Sequence, residues 1–304
     1  MGLPELLLSG PAPIDGGLAS ELEARGHDLS GRLWSARLLV NDPASIRAVH
    51  ETYFAAGARV AISASYQASR HAMALAGLDA ATADALLTRS VELAREARDR
   101  SAASADGALL VAAGVGPYGA ALADGSEYRG NYGLSHEALV RFHSERLEVL
   151  AGAGPDLFAV ETIPDAFEAA AVVEALADHP DIPTWITYSC SDASTTCGGD
   201  AFDDAVRVAA SAPSVVAVGI NCTAPEHVGE LIALGRKATD LPFVVYPNAG
   251  RTWDARDRTW WGAGADVIPA DQVKAWVDAG AMLVGGCCGL GPRAIGEIRA
   301  ALAA

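Results

Sequence analysis

No stretch of the chain is apolar for long enough to cross a bilayer. Apolar runs such as 108–116 and 214–220 fall far short of the roughly 20 residues a spanning helix needs. Basic residues are scarce: 22 Lys and Arg face 38 Asp and Glu, a formal charge of −16. Such a surface repels phosphate backbones and anionic lipid, so no nucleic acid and no membrane is expected as a partner. The acidity reads as solubility. No basic segment precedes the leucines near the start, which argues against a secretory signal. The 7 histidines show no metal-type spacing and read mostly as surface positions. Gly114-Val115-Gly116 lacks the third glycine and the helix start of a dinucleotide loop, so no nucleotide or flavin is implied. No Pro/Gly/Ser-rich linker interrupts the chain, and residues 1–304 read as one domain. The 5 cysteines include an adjacent pair, Cys287 and Cys288. Adjacent cysteines rarely bond to each other. Without an export signal they read as reduced thiols in a cytoplasm, available to a metal.

What is present is apolar surface in alternating blocks. The composition is 51% hydrophobic and 20% charged, enough to bury a large core. Short β-type runs lie near 6–14, 58–65, 108–115, 157–162, 184–189, 214–220, 243–247 and 281–285. Between them lie alanine-rich amphipathic stretches. Residues 81–103 place Leu86, Leu87, Val91 and Leu93 at helical spacing. Residues 135–151 start at Ser135, a good N-cap, with Leu139, Phe142 and Leu147 as the buried stripe. Asp165, Pro225 and Pro292 open further helices. Continuous apolar strands alternating with helices imply a parallel sheet covered by helices. Eight repeats favour a closed (β/α)8 TIM barrel over an open doubly wound sheet. The stretch 248–268, with Trp253, Trp260 and Trp261, reads as a long loop after the seventh run.

The chemically unusual residues cluster by position. Asp15-Gly16-Gly17, Ser65 to Ser69, Gly116-Pro117-Tyr118, Glu161 to Asp165, Asn221-Cys222-Thr223, Tyr246 to Gly250 and Gly285 to Gly289 each follow an expected strand. In a (β/α)8 barrel these ends form one mouth, where active sites lie. Cys287 and Cys288 sit in a glycine frame, and Cys222 ends a nearby strand. Neighbours in a regular strand point to opposite faces, so both thiols reach one ion only where the backbone turns. Three converging thiolates make a soft site that suits zinc and leave a fourth position open. The competing reading is small buried hydrophobes, which would suit one cysteine better than three. Cys190 and Cys197 read as bystanders. Glu161 reads as a site for an ammonium group, or secondarily as a general acid or base, since Asp165 already serves as the cap of the next helix. Asp15 reads as either the same or a cap for a helix beginning near Leu18.

These motifs resemble the homocysteine S-methyltransferase family. The likeness rests on Asp-Gly-Gly at 15–17, SYQAS at 65–69, ETIPD at 161–165, GINCTAP at 219–225, YPNAG at 246–250 and GGCCG at 285–289. It covers essentially the whole chain, and SYQAS resembles the S-methylmethionine-dependent branch rather than the betaine-dependent one. The resemblance implies Zn(2+) held by Cys222, Cys287 and Cys288. It implies homocysteine contacts from Asp15, Gly16, Gln67, Ala68, Ser69 and Glu161, and Asn221, in the same motif as Cys222, is expected among the substrate-binding residues. The chain is too short to carry cobalamin or folate modules beside such a barrel.

The implied reaction moves a methyl group from a small sulfonium donor to the thiolate of homocysteine, giving methionine. S-methylmethionine is expected first, S-adenosylmethionine second, and betaine weak or absent. Aromatic faces stabilise a sulfonium, and Tyr66, Tyr118, Tyr246 and Trp253 are the donor-side candidates. A methyltransferase for selenocysteine or another thiol, and a zinc-binding barrel without turnover, are the alternatives.

Overall fold

The computed structural model describes residues 2–29, 36–105, 107–250 and 264–304, and the backbone of 252–254 and 259–261. Its strands are β1 Ala12–Pro13, β2 Val60–Ile62, β3 Leu110–Val115, β4 Leu157–Ile163, β5 Thr184–Tyr188, β6 Val215–Asn221, β7 Phe243–Tyr246, β8 Thr252–Asp254, β9 Thr259–Trp261 and β10 Ala281–Val284. Eight of them form one parallel sheet in the order β1-β10-β7-β6-β5-β4-β3-β2. A parallel bridge between Ile14 and Val60 joins the two outer strands. There Arg59 N donates to Pro13 O at 2.8 Å and Asp15 N to Val60 O at 3.1 Å. The sheet therefore curls round into the expected (β/α)8 barrel.

Strand pleat sorts the apolar residues into two shells. Ile14, Leu110, Ala112, Leu157, Ala159, Trp185, Ala217, Val244 and Leu283 pack together inside the barrel. Their strand neighbours Val111, Phe158, Val160, Ile186, Val218 and Val245 face outward into the larger core beneath the helices. Glu161, Asn221 and Tyr246 lie on the inward phase of β4, β6 and β7. Each stands an even number of residues from an interior apolar neighbour, so alternation places them above the packed interior, at the mouth.

The helix signals hold. Asp165 accepts from Glu168 N at 2.7 Å, and Ser135 from Ala138 N at 3.3 Å. Such caps are each worth about 1 kcal/mol. Pro225 and Pro292 stand at the first positions of Pro225–Gly235 and Pro292–Ala303. Leu86, Leu87, Val91 and Leu93 are all buried in Ala80–Ser101.

Four expectations change. Residues 6–14 are not one strand: Leu3–Leu8 is a helix whose Leu3, Leu6 and Leu7 pack with the barrel-interior residues. Leucines spaced three and four apart suit that helix better than an alternating strand. The stretch 248–268 contains an antiparallel hairpin, with Trp253 opposite Trp260. His50 and His143 are fully buried rather than on the surface. Phe142 is only partly buried, and the inner face of His136–Gly152 instead carries Leu139, His143, Arg146, Leu147 and Leu150. No helix among the described residues is long and apolar enough to cross a membrane.

Candidate active site

Three sulfurs meet at the mouth of the barrel. Cys222 Sγ lies 3.8 Å from Cys288 Sγ, and Cys287 Sγ lies 3.9 Å from Cys288 Sγ. All three fall within 4.8 Å of one another. Tetrahedral coordination with metal–sulfur bonds of about 2.3 Å sets sulfur–sulfur edges of about 3.8 Å, so the trio has the spacing of three corners of such a site. Among the described residues it is the one group of three or more His, Cys, Asp or Glu with metal-holding spacing.

The backbone explains the convergence. Cys222 has φ +48° and Thr162 has φ +61°, values that L-residues seldom adopt. The turn just past β6 thus swings the Cys222 thiol out of the strand's alternation. Strain of this kind persists where the surroundings hold it, and it gathers at functional sites. In the GGCCG segment only Gly289 has positive φ, +83°. Gly285 and Gly286 serve close packing instead, against Ile14 and Leu290. The segment is pinned from both sides. Gly286 N donates to Asp15 O at 3.1 Å and Cys287 N to Pro247 O at 2.7 Å, while Ala249 N donates to Cys288 O at 2.9 Å. Gly289 N donates to Ser20 Oγ at 2.8 Å. A Cβ on Gly17 would stand 2.6 Å from Cys287 O, so the Asp-Gly-Gly loop lies against the cysteine loop only without a side chain there.

The sulfurs form one wall of a cavity of about 110 Å³. Asp15, Gly16, Tyr66, Glu127, Tyr128, Glu161, Thr162 and Tyr246 also line it. Burial pushes the carboxyl of Glu161 up to about 8, with the Asp15 charge adding to the rise. Burial likewise holds Asp15 well above the usual carboxylate range, against the bond its Oδ2 accepts from Ile62 N at 2.7 Å. Asp15 is therefore no helix cap: Gly17 is the cap residue of Leu18–Ala24 and has no side-chain bond. Hydrogen bonds from Cys287 and Cys288 hold the Cys222 thiol well below its usual range, and the Tyr128 hydroxyl, 3.1 Å from its sulfur, adds to this.

Both amide atoms of Asn221 are engaged within the protein. Its Oδ1 accepts from Thr162 N at 2.7 Å and Thr187 Oγ1 at 2.8 Å, and its Nδ2 donates to Thr162 Oγ1 at 2.7 Å. It thereby holds the unusual backbone of Thr162, next to Glu161. Tyr246 lines the cavity, its hydroxyl 2.8 Å from Thr187 Oγ1 and hydrogen-bonded to the Glu161 carboxyl.

Other expected residues lie apart. Gln67, Ala68 and Ser69 are buried but do not line the cavity. Ser69 caps Arg70–Leu75 by accepting from Ala72 N at 3.0 Å. Tyr118 packs against His71, Tyr132 and Phe142, away from the sulfurs. The side chain of Trp253 lies outside the described residues. Cys190 and Cys197 stand outside the sulfur trio.

Sequence reasoning missed Glu127, Tyr128 and Arg146. Glu127 and Tyr128 occupy the turn Ser126–Tyr128, beyond the short helix Tyr118–Leu122 that follows β3. An acid and an aromatic beside Asp124-Gly125-Ser126 in a loop above a strand end were the available signal. Burial pushes the Glu127 carboxyl up to about 7. Arg146 reaches from its helix to the carbonyls of Gly116 at 2.8 Å and Ser65 at 2.7 Å, and also to that of Tyr66. It ties the β2 and β3 loops together and so positions Tyr66.

The family model for homocysteine S-methyltransferase matches residues 14–302. The chain belongs to that family. It is 46% identical over 290 residues to homocysteine S-methyltransferase of Escherichia coli K12, covering 94% of each chain. The crystal structure of the Escherichia coli homocysteine methyltransferase MmuM in its metallated form superposes with a TM-score of 0.86, at 44% identity and 96% coverage of both chains. Selenocysteine methyltransferase of Astragalus bisulcatus is 42% identical over 305 residues, covering 93% of this chain and 90% of that one.

Proposed function

We propose that this methyltransferase moves a methyl group from a sulfonium donor, S-methylmethionine before S-adenosylmethionine, to the thiolate of homocysteine, with zinc held by Cys222, Cys287 and Cys288. The observation that carries the reading is a three-sulfur wall in the same cavity as two buried carboxylates, Asp15 and Glu161. The ligand set is all sulfur, which suits a soft ion, and the trio leaves a fourth position for a substrate thiol. When bound, zinc supplies the positive charge that keeps an incoming thiol, ordinarily titrating near about 8.5, deprotonated at neutral pH.

Asp15 and Glu161 accept the ammonium group of homocysteine. That charge offsets the burial that raises the pKa of both carboxyls, so substrate and ionised carboxylates stabilise one another. Tyr66 and Tyr246 line the cavity and are the aromatic side chains that meet the sulfonium. Asn221, through Thr162, and Arg146, through the Tyr66 carbonyl, keep these groups in place. The methyl carbon then passes in line from the donor sulfur to the homocysteine sulfur, and the donor leaves as a neutral thioether. No proton moves in that step, and the acceleration comes from alignment.

Selenocysteine as acceptor is the second reading, supported by the relative of that name. The test is a donor panel at equal concentration with metal-loaded protein and homocysteine, reading methionine formed. The expected order is S-methylmethionine, S-adenosylmethionine, then betaine. A highest rate with betaine would overturn the donor assignment. Replacing homocysteine by selenocysteine in the same assay separates the two acceptors.

A further inference from the structure

The Glu127 carboxylate bonds in part to backbone N–H groups of its own turn, at Glu127 and Gly125, and is otherwise without a partner in the fold. The residue is 7% exposed, and its Oε2 is buried without a hydrogen-bond partner. The turn that carries it is built by other contacts. Tyr128 N donates to Gly125 O at 3.2 Å and Gly130 N to Ser126 O at 3.0 Å. Asp124 Oδ1 accepts from Ser126 N at 3.0 Å. A Cβ on Gly119 would lie 2.3 Å from Glu127 N, so the backbone of the turn packs closely onto the helix Tyr118–Leu122. Within this frame Glu127 lines the cavity that holds the sulfurs. The next residue, Tyr128, brings its hydroxyl to 3.1 Å from Cys222 Sγ.

A buried acceptor left without a partner is costly, and a cationic ligand is what relieves it. The cavity has a second carboxylate group, the pair Asp15 and Glu161, whose charges act on each other. Two reactants enter this site under the function proposed above, and both carry a positively charged group. One acidic pair accepts one ammonium; the other cation needs its own acceptor. We propose that Glu127 is the binding residue for the cationic methyl donor, and that it selects donors by their positive charge. The inference rests on the proposed methyl transfer but does not depend on which sulfonium is preferred.

The test is steady-state kinetics of metal-loaded Glu127→Gln and Glu127→Asp with S-methylmethionine and homocysteine varied separately. Glu127→Gln keeps shape and loses charge. Its donor KM should rise about 10- to 100-fold, the range for losing one charged hydrogen bond, while its homocysteine KM stays within about twofold. Glu127→Asp keeps the charge one methylene further back and should fall between the two. Thermal unfolding of Glu127→Gln should occur no lower than in the wild type, because a buried carboxylate with one unpartnered oxygen has been removed. Should Glu127→Gln fail to fold, the Asp variant carries the same split. An unchanged donor KM in either folded variant, or equal rises for both substrates, overturns the proposal while leaving the methyl-transfer reading intact. A wild-type protein inactive with every donor overturns that reading, and this one with it.

Discussion

Glu161 couples the site to stability in a way that pH exposes. Its carboxyl moves from an ordinary 4.5 to about 8 on folding, chiefly because it is buried and secondarily because Asp15 stands near. A carboxyl whose pKa rises on folding costs nothing below its unfolded value. The cost then grows with pH until the folded group ionises, near about pH 8. Integrating the two titrations gives a cost of about 2 kcal/mol at pH 6 and close to about 5 kcal/mol at pH 9. Glu161→Gln has the same shape and does not titrate. Relative to this variant, the wild type should therefore lose roughly 3 kcal/mol between pH 6 and pH 9. The assay is urea unfolding of metal-free, reduced protein at pH 6, 7, 8 and 9, compared pair by pair so that groups common to both cancel. Stability curves that run parallel across this range would refute the argument, since they would mean that Glu161 folds without a raised pKa. In the metal-loaded protein the same substitution should weaken homocysteine binding without releasing the metal.

Two further outcomes follow from the geometry. Cys287→Ala removes one of three sulfurs and should lose most bound zinc and all turnover, as read by elemental analysis and the methionine assay, while circular dichroism stays native because the two apolar cores do not include the ion. Asn221→Ala strips three short bonds from Thr162 and Thr187, leaves a buried N–H unpaired, and should cost about 2–4 kcal/mol in urea unfolding.

The barrel was legible in the sequence because its signals are local. Strand runs, the caps Ser135 and Asp165, and the helix-opening prolines Pro225 and Pro292 each act within a few residues of themselves. Motifs at or just past strand ends then place Asp15, Glu161, Cys222, Cys287 and Cys288 on one rim, since a parallel barrel brings all such ends together. Tertiary structure decided what those positions do with their side chains. The left-handed backbone of Cys222 and Thr162 depends on Asn221 and on β7, contacts remote in sequence. Tyr118 shares the rim by position yet turns into an aromatic cluster, and Ser69 is used as a helix cap. Tyr128 reaches Cys222, and Glu127 the same cavity, from a turn packed onto the helix Tyr118–Leu122. The sequence names the rim because hydrophobic periodicity and capping are short-range; the direction in which each rim side chain points is set by packing between segments that meet only when the barrel closes.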